Sequence, residues 1–153
     1  YIEKPFTIEL LMSNISNLFK NREISYKQFM SKPLTHYNSV TASKVDEEYM
    51  DKLHDFIMKH ISEPDLNIES LTIQLGTSKS SLYRKLKANT GLSINEYIRV
   101  CRLKQAAELL SSQKYKINEV AFMTGFSSPS YFATCFQKQF NLSPSEFVKN
   151  LGQ

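Results

Sequence analysis

Apolar residues recur at helical spacing along most of the chain and predict a series of amphipathic helices. The most informative stretch, from Ile68 to Lys87, reads IESLTIQLGTSKSSLYRKLK and breaks once, at Gly76. Glycine supplies a tight turn because it adopts positive φ without a Cβ penalty, and Ser78 is placed to cap the helix that follows. The two apolar faces consist of Leu71 and Leu75, then Leu82 and Leu86. The pattern therefore predicts two short helices joined by a glycine turn, which is a helix-turn-helix.

A second copy of this unit follows about fifty residues later. Val120 to Lys138 reads VAFMTGFSSPSYFATCFQK, with Gly125 between an apolar helix and a serine-led one. The copies stay in register downstream, where Leu92, Ser93, Glu96, Tyr97 and Ile98 correspond to Leu142, Ser143, Glu146, Phe147 and Val148. Both copies contain the Ser-x-x-Glu spacing of a capping box, in which each side chain bonds the other's backbone N–H. An internal repeat of this kind predicts two similar helical units.

A long helix from about Ile94 to Leu110 is predicted between the two units, and another helix before them runs from about Asp46 and ends before Pro64. The inner face of that earlier helix consists of Tyr49, Leu53, Phe56, Ile57 and His60 or Ile61. On the long helix, the apolar residues expected to face the two units are Ile98, Leu103, Ala106, Ala107 and Leu110. At about 1.5 Å per residue, the long helix spans roughly 25 Å.

The beginning of the chain predicts one further helix, from about Thr7 to Lys20. Its apolar residues at helical spacing are Ile8, Leu11, Met12, Ile15, Leu18 and Phe19. Residues Glu23 to Lys44 lack sustained periodicity and are interpreted as a linker. The predicted fold is therefore all-α, with two helix-turn-helix subdomains joined by a long linker helix and preceded by an isolated amphipathic helix.

Charge is distributed unevenly, although the formal net charge is only +4. Acidic residues dominate between Asp46 and Asp65, whereas basic residues dominate between Ile68 and Lys104. A basic middle suits a polyanionic partner, because neutralising phosphates releases counterions. An ordinary solvated helix face is the alternative interpretation, and the repeat weighs against it.

The sequence contains no pattern expected of an enzyme or a metal protein. His36, His54 and His60 are scattered, and the serines near the turn glycines do not form G-x-S-x-G. Cys101 and Cys135 lack metal-ligand spacing and are expected to stay reduced in a cytoplasmic protein. With only four glycines, no phosphate-cradling loop is expected. We therefore expect no catalytic residues, no metal and no cofactor, and no run of residues approaches a membrane span.

Three segments together resemble the DNA-binding domain of the AraC/XylS family of bacterial transcription regulators. They are LGTSKSSLYRKLK, TGLSINEYIRVCRLKQAAELL and VAFMTGFSSPSYFATCFQKQFNLSPSEF, within a region from about Asp46 to Asn150. The resemblance implies a sequence-specific regulator that binds double-stranded DNA, with RNA polymerase as a further expected partner. The alternative class is a helical interaction module whose basic face docks an acidic protein such as the polymerase.

The resemblance implies that the second helix of each unit enters a major groove, so its outward residues are the candidate DNA contacts. In the first unit they are Ser78, Lys79, Ser80, Ser81, Tyr83, Arg84 and Lys87. In the second unit they are Ser127, Ser128, Pro129, Ser130, Tyr131, Thr134 and Lys138. Arg84 is the strongest candidate for a base contact because its fork fits guanine O6 and N7, with a surface salt bridge as the alternative. Leu82, Leu86, Phe132 and Phe136 are assigned to the core.

Two positions depart from the family pattern. An arginine often stands where this chain has Thr134, and a glycine where it has Asn141. Asparagine also visits the left-handed conformation, so Asn141 is compatible with a helix end. Threonine cannot offer a bidentate fork, and we expect sequence preference to rest more on the first unit.

The opening residues resemble the end of a response-regulator receiver domain, with Lys4 and Pro5 matching its last strand and the following helix matching its final helix. The expected organisation is a receiver remnant over residues 1–22, a linker over 23–44 and an AraC-type domain over 45–153. The parent is then a two-component protein, with histidine kinase activity and a membrane anchor as open options. The exposed apolar stripe of the first helix is expected to mediate self-association.

Overall fold

Seven helices make up the regular structure of residues 44–152 in the computed structural model, and this range contains no strand. The described part of the chain is residues 44–152, with side chains from Glu48 onward, together with Met12, Ser13, Ser16, Asn17 and Lys20. The helices are α1 (Lys44–Lys59), α2 (Ile68–Gln74), α3 (Lys79–Thr90), α4 (Ile94–Ser111), α5 (Ile117–Met123), α6 (Pro129–Phe140) and α7 (Pro144–Leu151). The predicted all-α fold is confirmed.

Two hydrophobic clusters form the interior, one in each helix-turn-helix unit. The first includes Met50, Leu53, Ile57, Leu71, Leu82, Leu86, Tyr97 and Cys101. The second includes Leu103, Ala106, Leu110, Val120, Phe132, Phe136, Phe140 and Phe147. Helix α4 belongs to both, because its first half packs into the first cluster and its second half into the other. This arrangement confirms that the long helix joins two separately packed units.

Serine caps define where four of the helices begin. Ser78, Ser93, Ser128 and Ser143 each accept a hydrogen bond from a backbone N–H of the first helical turn. Both predicted capping boxes are present, with the N–H of Ser93 donating to Glu96 Oε2 at 2.8 Å. This backbone hydrogen bond holds the pKa of the Glu96 carboxyl below its usual value. Local hydrogen bonding thus fixes the helix starts that the sequence predicts.

The turns after the helices use left-handed residues where the repeat predicts them. Gly76 and Gly125 have φ of +58° and +78° in the two helix-turn-helix turns. At the ends of α3 and α6, Gly91 and Asn141 have φ of +75° and +57°. An asparagine therefore fills the place in the second unit that a glycine fills in the first, as expected for a left-handed helix end.

Helix α1 differs from its prediction in its start and in its buried face. It begins at Lys44 rather than near Asp46, and Met50 is 1% exposed whereas Tyr49 is only partly buried. Met50, Leu53 and Ile57 form one stripe at spacings of three and four residues. Tyr49 lies beside that stripe, where the Lys85 ammonium sits 4.4 Å from its ring centroid.

The predicted helix over Thr7–Lys20 is described only in part. Met12, Ser13, Ser16, Asn17 and Lys20 are helical and exposed. The other residues of that prediction lie outside the described residues. So does the linker predicted over Glu23–Lys44, except for Lys44, which is instead the first residue of α1.

Candidate nucleic-acid interface

Helix α3 buries one face and presents a basic, hydrogen-bonding face to solvent. Leu82 and Leu86 are fully buried, and the Ser78 Oγ accepts from the Ser81 N–H at 3.2 Å. Of the predicted contacts on this helix and its cap, Ser78, Lys79, Ser80, Tyr83, Arg84 and Lys87 are exposed and Ser81 is half-buried. The buried leucines fix which side faces outward, and that side carries no carboxylate.

The charged residues of α3 differ in whether they form an ion pair within the protein. Lys79 Nζ lies 3.1 Å from Glu69 Oε1, with both side chains more than half exposed. Such a surface pair is worth at most about 1 kcal/mol, so a phosphate can replace the carboxylate. Arg84 has no hydrogen bond or ion pair with any described residue, and the surface salt bridge considered for it is not formed within that part of the chain.

Helix α6 presents a more neutral outward face. The Ser128 Oγ accepts from the Tyr131 N–H at 3.3 Å, and Pro129 opens the helix. Ser127, Ser130, Tyr131, Thr134 and Lys138 are exposed, whereas Ser128 and Pro129 are half-buried rather than exposed as predicted, because they form the cap against the rest of the unit. The Thr134 hydroxyl donates to the Ser130 carbonyl at 3.1 Å. Lys138 is the single cation of this helix.

Arg102 forms a junction between the segment ahead of the first unit and the turn of the second unit, and the sequence analysis does not predict it. Arg102, midway along α4, donates to the carbonyl oxygens of Glu63 and Pro64 ahead of the first unit. Its guanidinium also lies against Gly125, in the turn of the second unit. The sequence shows only an arginine between Cys101 and Leu103, which does not reveal partners 38 and 39 residues away.

A cleft of about 470 Å³ opens beside this junction. Asn95, Arg99 and Arg102 of α4 line one wall, and Phe126, Ser127 and Tyr131 line the other. Ser127 and Tyr131 are predicted DNA contacts, so the cleft borders the outward face of the second unit.

The described residues do not assemble a cluster of metal-binding side chains. No group of three or more His, Cys, Asp or Glu side chains there could hold a metal ion. His54 Nδ1 lies 3.4 Å from the Tyr97 hydroxyl, on the edge of the first core cluster. None of the described helices has the length and apolar character needed to cross a bilayer.

Two capped helices with polar outward faces, each preceded by a glycine turn and joined through α4, define a double helix-turn-helix DNA-binding domain. Residues 71–150 match a family model described as a helix-turn-helix domain. The chain belongs to the AraC-type helix-turn-helix family of transcription regulators. Membership favours DNA binding over the alternative of a module that docks an acidic protein.

Several relatives share this domain. The chain is 33% identical over 147 residues to histidine kinase P4 of Formosa agariphila. The match covers 96% of this chain and 11% of that protein. It is 30% identical over 127 residues to the HTH-type transcriptional activator RhaS of Salmonella arizonae, covering 82% of this chain and 45% of that protein. The chain thus spans less than half the length of these two relatives.

A solved structure shows the same fold. The C-terminal domain of AraT, a response regulator from Geobacillus stearothermophilus, is 32% identical and superposes with a TM-score of 0.59. The match covers 67% of this chain and 84% of that chain.

Proposed function

We propose that this chain is the DNA-binding effector part of a two-component signalling protein and that both helix-turn-helix units contact one promoter site. The observation that carries the proposal is the duplicated unit, in which a buried face orients a serine-capped helix outward in each copy. Helix α4 has 18 residues and spans about 27 Å at 1.5 Å per residue. That length suits recognition helices placed about 34 Å apart, one turn of DNA.

The two units have different roles in this proposal. Helix α3 supplies Lys79, Arg84 and Lys87 on its outward side, and Arg84 is free to form a bidentate contact with guanine. Helix α6 supplies hydroxyl groups and Lys138, which suit phosphate positioning and weaker base contacts. Sequence preference therefore comes mainly from the first unit.

The proposed parent is a hybrid sensor or a response regulator. A relative named as a histidine kinase and a solved response-regulator domain support this organisation. Residues 1–22 then end a receiver domain, residues 23–44 form the linker, and residues 45–153 bind DNA. The kinase activity and a membrane anchor belong to the proposed parent, whereas this segment acts on DNA in the cytoplasm without catalysis. Contact with RNA polymerase is the proposed output, as suits a relative named as an activator.

Salt-dependent binding of duplex DNA tests the function. A duplex selected from a random library and a scrambled duplex are titrated by fluorescence anisotropy at two salt concentrations. If about four phosphates are neutralised, affinity for the selected duplex falls roughly a hundredfold for a fourfold rise in salt. Equal affinity for both duplexes, unchanged by salt, contradicts the proposal.

A further inference from the structure

Arg102 connects the linker helix to the segment that leads into the first unit. Its guanidinium donates to the Glu63 carbonyl and, at 3.2 Å, to the Pro64 carbonyl. Both carbonyls belong to the connection between α1 and α2, which precedes the first helix-turn-helix. Both hydrogen bonds come from one nitrogen, Nη2, and together they fix the position of this connection relative to α4.

The turn of the second unit meets the same guanidinium. Gly125 is buried, and a Cβ there would lie 2.9 Å from Arg102 Cζ and Nε and would overlap the Ile61 carbonyl oxygen. The α5–α6 turn therefore touches both the linker helix and the end of the α1 segment. Ile61, Glu63 and Pro64 on one side and Gly125 on the other form a joint around Arg102.

Gly76, the equivalent glycine of the first unit, shows that a helix-turn-helix turn forms without such a close contact. Gly76 has φ of +58° but is exposed, and a Cβ there meets nothing within 4 Å. Gly125 has the same left-handed conformation and in addition a close approach. The close approach thus belongs to the contact between the units.

Each unit has its own core, so the angle and distance between the units depend on α4 and on this joint. We propose that Arg102 is a positioning residue that fixes the two recognition helices relative to each other and so sets the half-site spacing that the domain accepts. The inference rests on the proposed DNA-binding function. One base pair moves a half-site by about 3.4 Å and roughly 35° around the duplex, so a fixed joint discriminates between adjacent spacings.

Selection from a library of random duplexes tests this role. The proteins are the full chain and its Arg102→Ala, Arg102→Lys and Arg99→Ala variants, and thermal melting establishes that each is folded. Arg99→Ala is the matched control, because it removes the same charge one turn earlier on α4, from a residue that lines the same cleft but has no hydrogen bond to Glu63 or Pro64. The wild type and Arg99→Ala should select two sequence blocks at one separation.

Arg102→Ala should select the same two blocks at several adjacent separations. Its affinity for the wild-type spacing should fall about tenfold, while affinity for duplexes one base pair longer or shorter changes less than about threefold. Arg102→Lys retains the charge, and its tolerance of altered spacing should lie between those of the wild type and Arg102→Ala. If Arg102→Ala does not fold, the lysine variant alone still tests the proposal.

A uniform loss across all three duplex lengths, or one retained separation in both Arg102 variants, overturns the positioning role. If the wild type itself selects no motif, the DNA-binding function fails and the inference fails with it. If the wild type selects two blocks and only the Arg102 result disagrees, the function stands without this role.

Discussion

Arg84 and Thr134 occupy equivalent places on the two recognition helices, fifty residues apart, but their side chains are differently engaged. The Arg84 side chain is exposed and has no partner within the described residues, whereas the Thr134 hydroxyl already donates within its own helix. A guanidinium can form a bidentate contact with guanine, and a hydroxyl offers a single weaker bond. The first unit therefore carries the stronger candidate for reading base sequence.

Arg84→Ala should lower affinity for the best selected duplex by about 1–3 kcal/mol and relax preference at one position. Thr134→Ala should cost less. Anisotropy titrations on the selected duplex, with repeated selections for both variants, measure the two effects. A larger change in the motif from Thr134→Ala than from Arg84→Ala contradicts this ranking.

Lys104 provides a pH-dependent test at the same scale. It is 8% exposed, and burial lowers the pKa of its ammonium from 10.5 to about 8, opposed by Cys101 and Glu108. Between pH 8 and 10.5 the unfolded chain binds more protons at this residue than the folded chain, so its contribution to stability rises with pH. Below about pH 8 the folded protein holds this ammonium charged, and the desolvation cost that remains after its attractive interactions is present in full.

Lys104→Met should therefore raise the melting temperature at pH 7, and the gain should shrink as the pH approaches 10.5. Thermal melts of both proteins across this range measure the difference. Burial raises the pKa of the Cys101 thiol to about 12, so this thiol stays protonated in both folded proteins up to pH 10.5. Its contribution is therefore the same in the two proteins and cancels in the comparison. Lys114→Met, at an exposed position, is the control. If the gain in melting temperature stays constant with pH, better packing of the methionine rather than removal of the charge is responsible.

At the scale of helices and turns, the sequence determines most of what the structure shows. Serine caps, the Ser-x-x-Glu boxes and the left-handed residues act within one or two turns, so their effect can be predicted locally. The inner face of α1 was predicted less well, because Tyr49 and Met50 both fit a broad apolar stripe and only tertiary packing selects Met50. The half-burial of Ser81 and Pro129 likewise depends on neighbouring elements.

The two turn glycines form a matched pair for a stability test. Gly76→Ala should cost about 1–2 kcal/mol, the usual cost of a left-handed residue with a Cβ. Gly125→Ala should cost roughly 1–3 kcal/mol more, because its Cβ overlaps the Ile61 carbonyl and crowds Arg102. Urea unfolding of both variants measures the free energy of unfolding. Equal losses would mean that the close approach at Gly125 relaxes without cost.

At the scale of the whole molecule, the repeat predicted two units and their connection but not how the units touch. The hydrogen bonds from Arg102 span 38 and 39 residues, and no local pattern specifies such a pairing. The candidate DNA-contacting residues were found because helical spacing separates buried from outward positions. Residues that act through the junction have no such periodic signal.

Self-association remains a prediction at this scale. In the segment Thr7–Lys20 the described residues are helical, and Met12 is 60% exposed. Ile8, Leu11, Ile15 and Leu18 continue an apolar stripe in the sequence, and spacings of three and four residues suit helix pairing. Burying a few such side chains between two helices stabilises the association by several kcal/mol, at about 25 cal/mol per Å² of apolar surface removed from water.

Sedimentation of the full chain and of a version that starts at Ser43 tests the prediction. The full chain should associate at concentrations where the shortened version stays monomeric. Monomers in both samples contradict pairing through this helix and favour its packing within one chain.

The 18-residue α4 also has a consequence for how strongly weak contacts combine. Once one unit is on DNA, the other is confined to a small volume around its own site, and its effective concentration there is high. Two contacts that are each weak can then give tight binding together, provided that both sites are present at the matching distance. A promoter that loses one half-site should therefore lose most of its occupancy, even though the surviving unit keeps all its contacts.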